Sequence, residues 1–198
     1  MGHVRALSAL AVALTAATPA ASQAPAGPGA PAMILSTTAF PDGGQIPVRF
    51  SQAAPGVAPG EGTSPPLTWT NTPAGTVSFV LHMHDMEVAR NKTTEDQVHW
   101  LVWNIPGTAT GLPEGVLRGS TLADRSRQIS ATGPMYRGPG AGATGPLHHY
   151  VFELYALDAA LEVEPTDEAV ATRTKVFAAL QGHILGKAVY LGLFRRPN

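Results

Sequence analysis

Short apolar runs separated by glycine and proline clusters fill most of the chain between Met33 and Val163. Runs of this length, bounded by such breakers, are typical of β-strands. The pattern predicts strands at Met33–Ser36, Val48–Phe50, Leu67–Trp69, Val77–His84, His99–Ile105 and His149–Leu157. Between the last two lies an irregular stretch, residues 106–146, whose length is usual only in functional or disordered segments.

The C-terminal part changes to helical spacing. Thr166 is the predicted N-cap, and the apolar positions that follow have the spacing of one helix face: Val170, Val176, Phe177 and Leu180. Lys187–Phe194 then predicts a closing strand. We therefore expect a mainly β fold, a β-sandwich with a central antiparallel or mixed sheet and one or two short C-terminal helices.

The N-terminus has the composition of a secretory signal peptide. Arg5 precedes an apolar run from Ala6 to Ala17 without an acidic residue, and small residues follow up to Ser22. The run is shorter than the roughly 20 residues that a membrane span needs. We predict a signal peptide over residues 1–22, a Pro/Gly/Ala-rich tether over 23–32, and a single domain over 33–198 in the periplasm or outside the cell, without stable membrane insertion.

Composition narrows the classes of partner. The chain has 198 residues, a formal net charge of −1 and no cysteine. Binding to a nucleic-acid backbone requires a basic surface, so nucleic acid is not expected as a partner. Without cysteine there is neither a disulfide nor a bacterial lipoprotein anchor. A domain of this length buries enough surface to fold without such cross-links.

The stretch "SFVLHMHDMEVAR" has the densest candidate chemistry. Strand alternation places His82 and His84 on one face and Asp85 on the other. One hypothesis is a metal-dependent, cupin-like enzyme that uses His82, His84 and Glu87, since imidazole and carboxylate suit zinc, iron or manganese. The alternative is that both histidines are ordinary polar residues on a half-exposed sheet face.

A second hypothesis is a small anion-binding pocket. Asp85, His99, His148 and Tyr150 all lie near predicted strand ends, and the glycine-rich loop before His148 offers backbone N–H groups. Asp85 would hold one histidine in a fixed tautomer and favour its protonated form. Alternation alone puts His99 on the face of Leu101. No G-x-S-x-G and no phosphate-binding loop is present, so the pocket hypothesis is not that of an enzyme.

Four ordered segments resemble the phosphatidylethanolamine-binding protein family, in particular its bacterial Raf-kinase-inhibitor-like branch. They are "TSPPLTWTNTPAGTVSFVL", "VHWLVWNIPGTATGLPEGV", "YRGP" followed by "GPLHHYVFELYALD", and "AALQGHILGKAVYLGLF". The resemblance runs from about Phe40 to Phe194. It implies a β-sandwich with a small pocket for phosphate-like or acidic groups, formed by Asp85, His99, Tyr136, His148 and Tyr150.

The chain departs from the family pattern around the implied pocket. The D-P-D-A-P loop reads "DMEVA", so both prolines are lost and Glu87 replaces the second acid. Because proline stiffens a loop, this rim is expected to be looser. "GAGATG" follows Pro139 where further prolines are usual, and His149 replaces an arginine.

The function expected from the sequence is a secreted or periplasmic binding protein without a cofactor. Its ligand would be a small anionic or phosphorylated group, and regulation or inhibition of a protein target remains open. The alternatives are the cupin-like enzyme and a protein-interaction module with an empty pocket. Kinase or protease inhibition by relatives does not transfer to this chain.

Overall fold

Two β-sheets and one α-helix form the domain in the computed structural model, which describes residues 31–198. The predicted signal peptide and all but the last two tether residues lie outside this range. The strands are β1 Ile34–Ser36, β2 Gly44–Gln45, β3 Leu67–Thr70, β4 Ser78–Asp85, β5 Gln97–Pro106, β6 Gly111–Leu112, β7 Arg127–Ile129, β8 His148–Leu157 and β9 Ile184–Phe194. The helix α1 spans Ala169–Ala179.

The larger sheet has six strands in the order β2-β9-β8-β4-β5-β7, and the smaller sheet has the order β1-β3-β6. All pairs are antiparallel except β2 with β9, which is parallel. The larger sheet is therefore mixed, and the predicted mainly β fold with a mixed central sheet is confirmed.

Strand β4 is buried on both of its faces. Phe79, Leu81 and Met83 belong to the core cluster that also contains residues of the smaller sheet, such as Trp69. Val80 belongs to a second cluster, which contains buried residues of α1. The larger sheet thus has a sandwich face and a helix face, and alternate residues of β4 lie on each.

The predicted strand at Val48–Phe50 is wrong, because these residues form a 3-10 turn. Pro47, with φ −58°, begins the turn, and the Ser51 N–H closes it by donating to the Val48 carbonyl at 2.9 Å. The turn directs the Phe50 side chain into the interior, where it has no exposed surface.

The helix begins two residues later than a Thr166 N-cap would place it. Glu168 is the N-cap, and its carboxylate accepts the Ala171 N–H at 2.5 Å. The Thr166 hydroxyl instead donates to the Glu168 carbonyl at 2.8 Å. Among the described residues α1 is the one α-helix, and no helix there has the length and apolar character needed to span a membrane.

The stretch 106–146 is organised around a buried glutamine. Gln128 has no exposed surface, and its Nε2 donates to the carbonyls of Leu117 at 2.6 Å and Gly119 at 3.0 Å. Its Oε1 accepts the Trp100 indole N–H at 2.8 Å. A single side chain therefore ties this long connection to the central sheet.

We predict that Gln128→Leu lowers the free energy of unfolding by about 3 kcal/mol, because it leaves an indole N–H and two carbonyls without partners in the interior. Chemical denaturation measures the change. Gln181→Leu is the control, since the Gln181 side chain is exposed and bonds only the Phe177 carbonyl. We expect a change within about 0.5 kcal/mol there, and equal effects of the two substitutions would contradict the prediction.

Candidate functional site

Strand register brings two of the predicted site residues together. Asp85, the last residue of β4, lies directly opposite Tyr150 of β8. Both lie on the sandwich face, because Asp85 alternates with Leu81 and Met83 and Tyr150 alternates with Phe152. His148, two residues before Tyr150, lies on the same face. The sequence predicted this side of the grouping correctly.

A β-bulge brings His99 to the same place. Met83 pairs with Trp100 and His84 with Val98, so His99 is an extra residue in β5. An extra residue reverses the alternation that follows it. Leu101 accordingly packs on the helix face, whereas His99 lies near Asp85, with its Nε2 3.9 Å from Oδ2. The predicted shared face of His99 and Leu101 is therefore wrong.

The Asp85 carboxylate is 3% exposed and is surrounded by donors. His148 Nδ1–H lies 3.0 Å from Oδ1 and 2.9 Å from Oδ2, and the Glu87 backbone N–H donates to Oδ1 at 3.0 Å. These bonds compensate for the loss of water around a buried charge. They also place the proton of His148 on Nδ1, which leaves Nε2 as the nitrogen available to a ligand.

His99 is held as a neutral imidazole whose Nε2 can accept a hydrogen bond. Its Nδ1–H donates to the Arg137 carbonyl at 2.9 Å. Burial lowers its pKa to about 4, although the Arg137 hydrogen bond and the Asp85 charge act in the other direction. The imidazole is therefore neutral near pH 7, and its Nε2 carries a lone pair on the side of Asp85. The sequence had predicted a protonated histidine beside Asp85, and for His99 that is wrong.

The two tyrosines have different surroundings. The Tyr150 hydroxyl accepts the Gly140 N–H at 3.2 Å, and its pKa is raised by burial and by the Asp85 charge. The Tyr136 hydroxyl donates to the Phe50 carbonyl at 3.0 Å, and its ring packs edge-on against Trp100. Tyr150 thus lies within the cluster, whereas the proton of Tyr136 is committed to the backbone beside it.

Arg137 is a residue that sequence reasoning missed. Its backbone N–H donates to the His99 carbonyl at 2.9 Å, and its backbone carbonyl accepts the His99 ring N–H. Its guanidinium is half-buried, with Nε lacking a hydrogen-bond partner. Burial and Arg90 lower its pKa, while Tyr150 and Asp85 raise it, so this cation lies near the cluster. Its position inside "YRGP" was the available signal.

The glycine-rich loop does not offer free N–H groups in the way predicted. Gly138 donates to the Glu61 carbonyl at 3.2 Å, Gly140 to Tyr150, and Gly145 to the Gly142 carbonyl at 3.4 Å. At Gly138 a Cβ would lie 2.9 Å from the Ser51 backbone, so close packing requires glycine there. These three N–H groups are therefore bonded to partners within the protein rather than open to oxyanions.

The "DMEVA" rim is fixed by hydrogen bonds instead of prolines. The Glu87 carboxylate accepts the His149 backbone N–H at 2.7 Å, and the His149 ring Nδ1 lies 2.6 Å away. Burial would raise the pKa of Glu87, but these two bonds outweigh it and the pKa is lowered. Glu87, which replaces the family's second acid, and His149, which replaces its arginine, therefore contact one another beside the cluster.

The metal set predicted from the sequence is wrong, because Glu87 lies with Asp85 and His148 rather than with the other two histidines. His82 and His84 lie on the helix face, where the third potential ligand is the carboxylate of Glu153. His82 is 3% exposed, not half-exposed, and burial lowers its pKa to about 4. Within the described range, these two trios are the groups with metal-ligating spacing.

Known proteins resemble the chain over the whole described domain. The UPF0098 protein of Methanothermobacter thermautotrophicus is 39% identical over 166 residues, covering 83% of this chain and 99% of that protein. The UPF0098 protein of Chlamydia pneumoniae is 32% identical over 165 residues, with the same coverage.

Solved structures of related proteins have a similar fold. A phosphatidylethanolamine-binding protein homologue of Chlamydia trachomatis has a TM-score of 0.66 at 27% identity, and Escherichia coli YbcL has 0.65 at 26%. Each match covers 83% of this chain and 98% of the other. The family model for phosphatidylethanolamine-binding protein matches residues 36–195. From this match and these relatives, the chain belongs to the phosphatidylethanolamine-binding protein family.

Proposed function

We propose that the protein binds a small oxyanion, phosphate or a phosphate monoester, in the pocket formed by Asp85, His99, His148 and Tyr150. The observation that carries this proposal is their convergence at one end of the sandwich face, with one ring nitrogen of each histidine left to a ligand. Arg137 supplies a positive charge nearby. Tyr136 supports the wall behind them.

The charges restrict which oxyanion fits. Asp85 is a buried carboxylate at the centre of the cluster, and it repels a ligand that is all negative charge. The neutral His99 offers a lone pair at Nε2, so it accepts a hydrogen bond and does not donate one. An anion that carries its own proton, such as hydrogen phosphate, satisfies both groups. Sulfate, which has no proton at neutral pH, does not.

The proposal includes a location outside the cytoplasm, in the periplasm or secreted. Its support is the leader-like sequence before Gln23. A regulatory or inhibitory action on a protein target, and the Raf-kinase-inhibitor-like branch, remain expectations from the sequence.

Calorimetry tests the pocket. We expect phosphate to bind wild type more tightly than sulfate at pH 7, and His148→Ala to weaken phosphate binding at least about tenfold, the effect of losing one hydrogen bond to a charged group. His183→Ala is the matched control, since that histidine is exposed beside Asp158. Absence of heat with both phosphate and phosphoethanolamine would remove the proposal, and equal affinity for sulfate would remove the role of the ligand proton.

The neutral state of His99 has its own test. Its folded pKa of about 4 lies below the ordinary 6.5, so between these values the unfolded chain binds the extra proton. Stability is therefore lost as pH falls from 6.5 toward 4. We expect His99→Asn to flatten this decline by about 1 kcal/mol per pH unit in denaturant titrations. An NMR titration that shows the His99 ring protonating above pH 6 would refute it.

Processing is tested by expression in a bacterium with an export pathway. N-terminal sequencing of the exported protein is expected to begin at Gln23. A lysine replacement at Leu10, in the centre of the apolar run, should leave the protein in the cytoplasm, whereas a lysine at Ala26, beyond the run, should not. Export unaffected by the first replacement would contradict the signal peptide.

A further inference from the structure

A second polar cluster lies on the helix face of the sheet, on the opposite side from the pocket. His82 and His84 are alternate residues of β4, and Glu153 of β8 is directly opposite His82. Phe177 of α1 contacts the His82 ring edge-on, with centroids 5.2 Å apart. These three polar side chains therefore sit on rigid strands under a helix, rather than on loops.

The spacing of their ligand atoms is that of a metal site. Glu153 Oε2 lies 3.6 Å from His82 Nδ1 and 3.6 Å from His84 Nε2, and each of the three residues offers one ligand atom within 4.8 Å of those of the other two. Both distances are too long for hydrogen bonds. Ligand atoms held about 2.1 Å from a tetrahedral zinc ion lie roughly 3.4 Å from each other. The three atoms thus surround a point that an ion can occupy with little movement.

The hydrogen bonds of His84 and Glu153 with their outer neighbours leave one ligand atom of each residue free for a metal. His84 Nδ1 bonds the Asp96 carboxylate, so its lone pair is on Nε2, and Arg173 holds Asp96 in place. Lys187 bonds Glu153 through Oε1, which leaves Oε2. A carboxylate behind a ligating histidine, fixed by a further hydrogen bond, is the usual second layer of a metal centre.

The cluster is incomplete without a ligand. Both ring nitrogens of His82 and Nε2 of His84 are buried and have no hydrogen-bond partner. His82 is 3% exposed, so its ring nitrogens have little access to bulk solvent. A cleft of about 380 Å³ lined by these residues, Glu95 and Thr174 opens beside them to solvent. The cleft provides a path for an ion and room for a bound water.

The charge of the surroundings also favours a cation. Three carboxylates line the cleft, those of Glu95, Asp96 and Glu153. Two cations, Arg173 and Lys187, pair with them and neutralise their charge only in part. We propose that His82, His84 and Glu153 bind one divalent transition-metal ion, for which zinc fits the two-imidazole, one-carboxylate ligand set. A water from the cleft completes the coordination. This proposal is independent of the anion pocket.

Metal titration of the full chain, purified without a histidine tag, tests the site. We expect one equivalent of Zn²⁺ to bind in calorimetry, and one equivalent of Co²⁺ to give the visible absorption of a four-coordinate centre. Glu153→Gln and His84→Ala should each weaken both at least tenfold, and Asp96→Asn by about 10- to 100-fold through the outer layer. Glu153→Gln keeps a partner for Lys187, so it is the variant expected to remain folded.

His148→Ala is the matched control, because Asp85, Glu87 and His148 form the other trio with ligand-like spacing. We expect this variant to keep the wild-type Co²⁺ spectrum and zinc affinity. Loss of binding in His148→Ala with retention in Glu153→Gln would move the metal to the anion pocket and overturn the proposal. Wild type that binds neither Zn²⁺ nor Co²⁺ at micromolar concentration would overturn it as well, whatever the variants do.

Discussion

Burial of β4 on both faces is the constraint on which both polar clusters depend. A strand in this position has little contact with water, so a polar side chain on it is destabilising unless it finds a partner inside the protein or in a ligand. Asp85 finds them on the sandwich face, whereas His82 and His84 face Glu153 on the helix face at 3.6 Å, beyond hydrogen-bond distance. Because alternate residues of one strand lie on opposite faces, two chemically distinct sites arise within four positions of sequence.

The sequence predicted much of the pocket because most of it follows from alternation. The faces of β4 and β8 are those that period-two reasoning assigns, and Asp85, His148 and Tyr150 meet as expected. His99 is different. A bulge adds one residue to β5 there, and nothing in "VHWLVWN" marks a bulge. The position of His99 at a strand start, and the family resemblance, grouped it with Asp85, whereas alternation alone put it on the face of Leu101.

Residues whose roles depend on register between distant strands could not be predicted. Glu153 joins His82 only because β8 pairs with β4 in one of many possible registers, and the sequence offered Glu87, which was closer along the chain. Glu87 bonds His149 instead, across the same pair of strands. That contact joins two positions at which the chain departs from the family pattern, the second acid of the loop and the arginine.

The two clusters differ in how many of their polar groups have hydrogen-bond partners within the protein. Asp85 accepts hydrogen bonds from His148 and the backbone, and His99 donates to the Arg137 carbonyl, so this cluster is stable without a ligand. His82 has no such partner, and a buried, unpaired polar group costs about 1–3 kcal/mol. Its neighbours along the helix face include Val80, so an apolar residue at position 82 would continue that packing. An imidazole whose two ring nitrogens have no partner in this core is best explained by a ligand that the core alone does not supply.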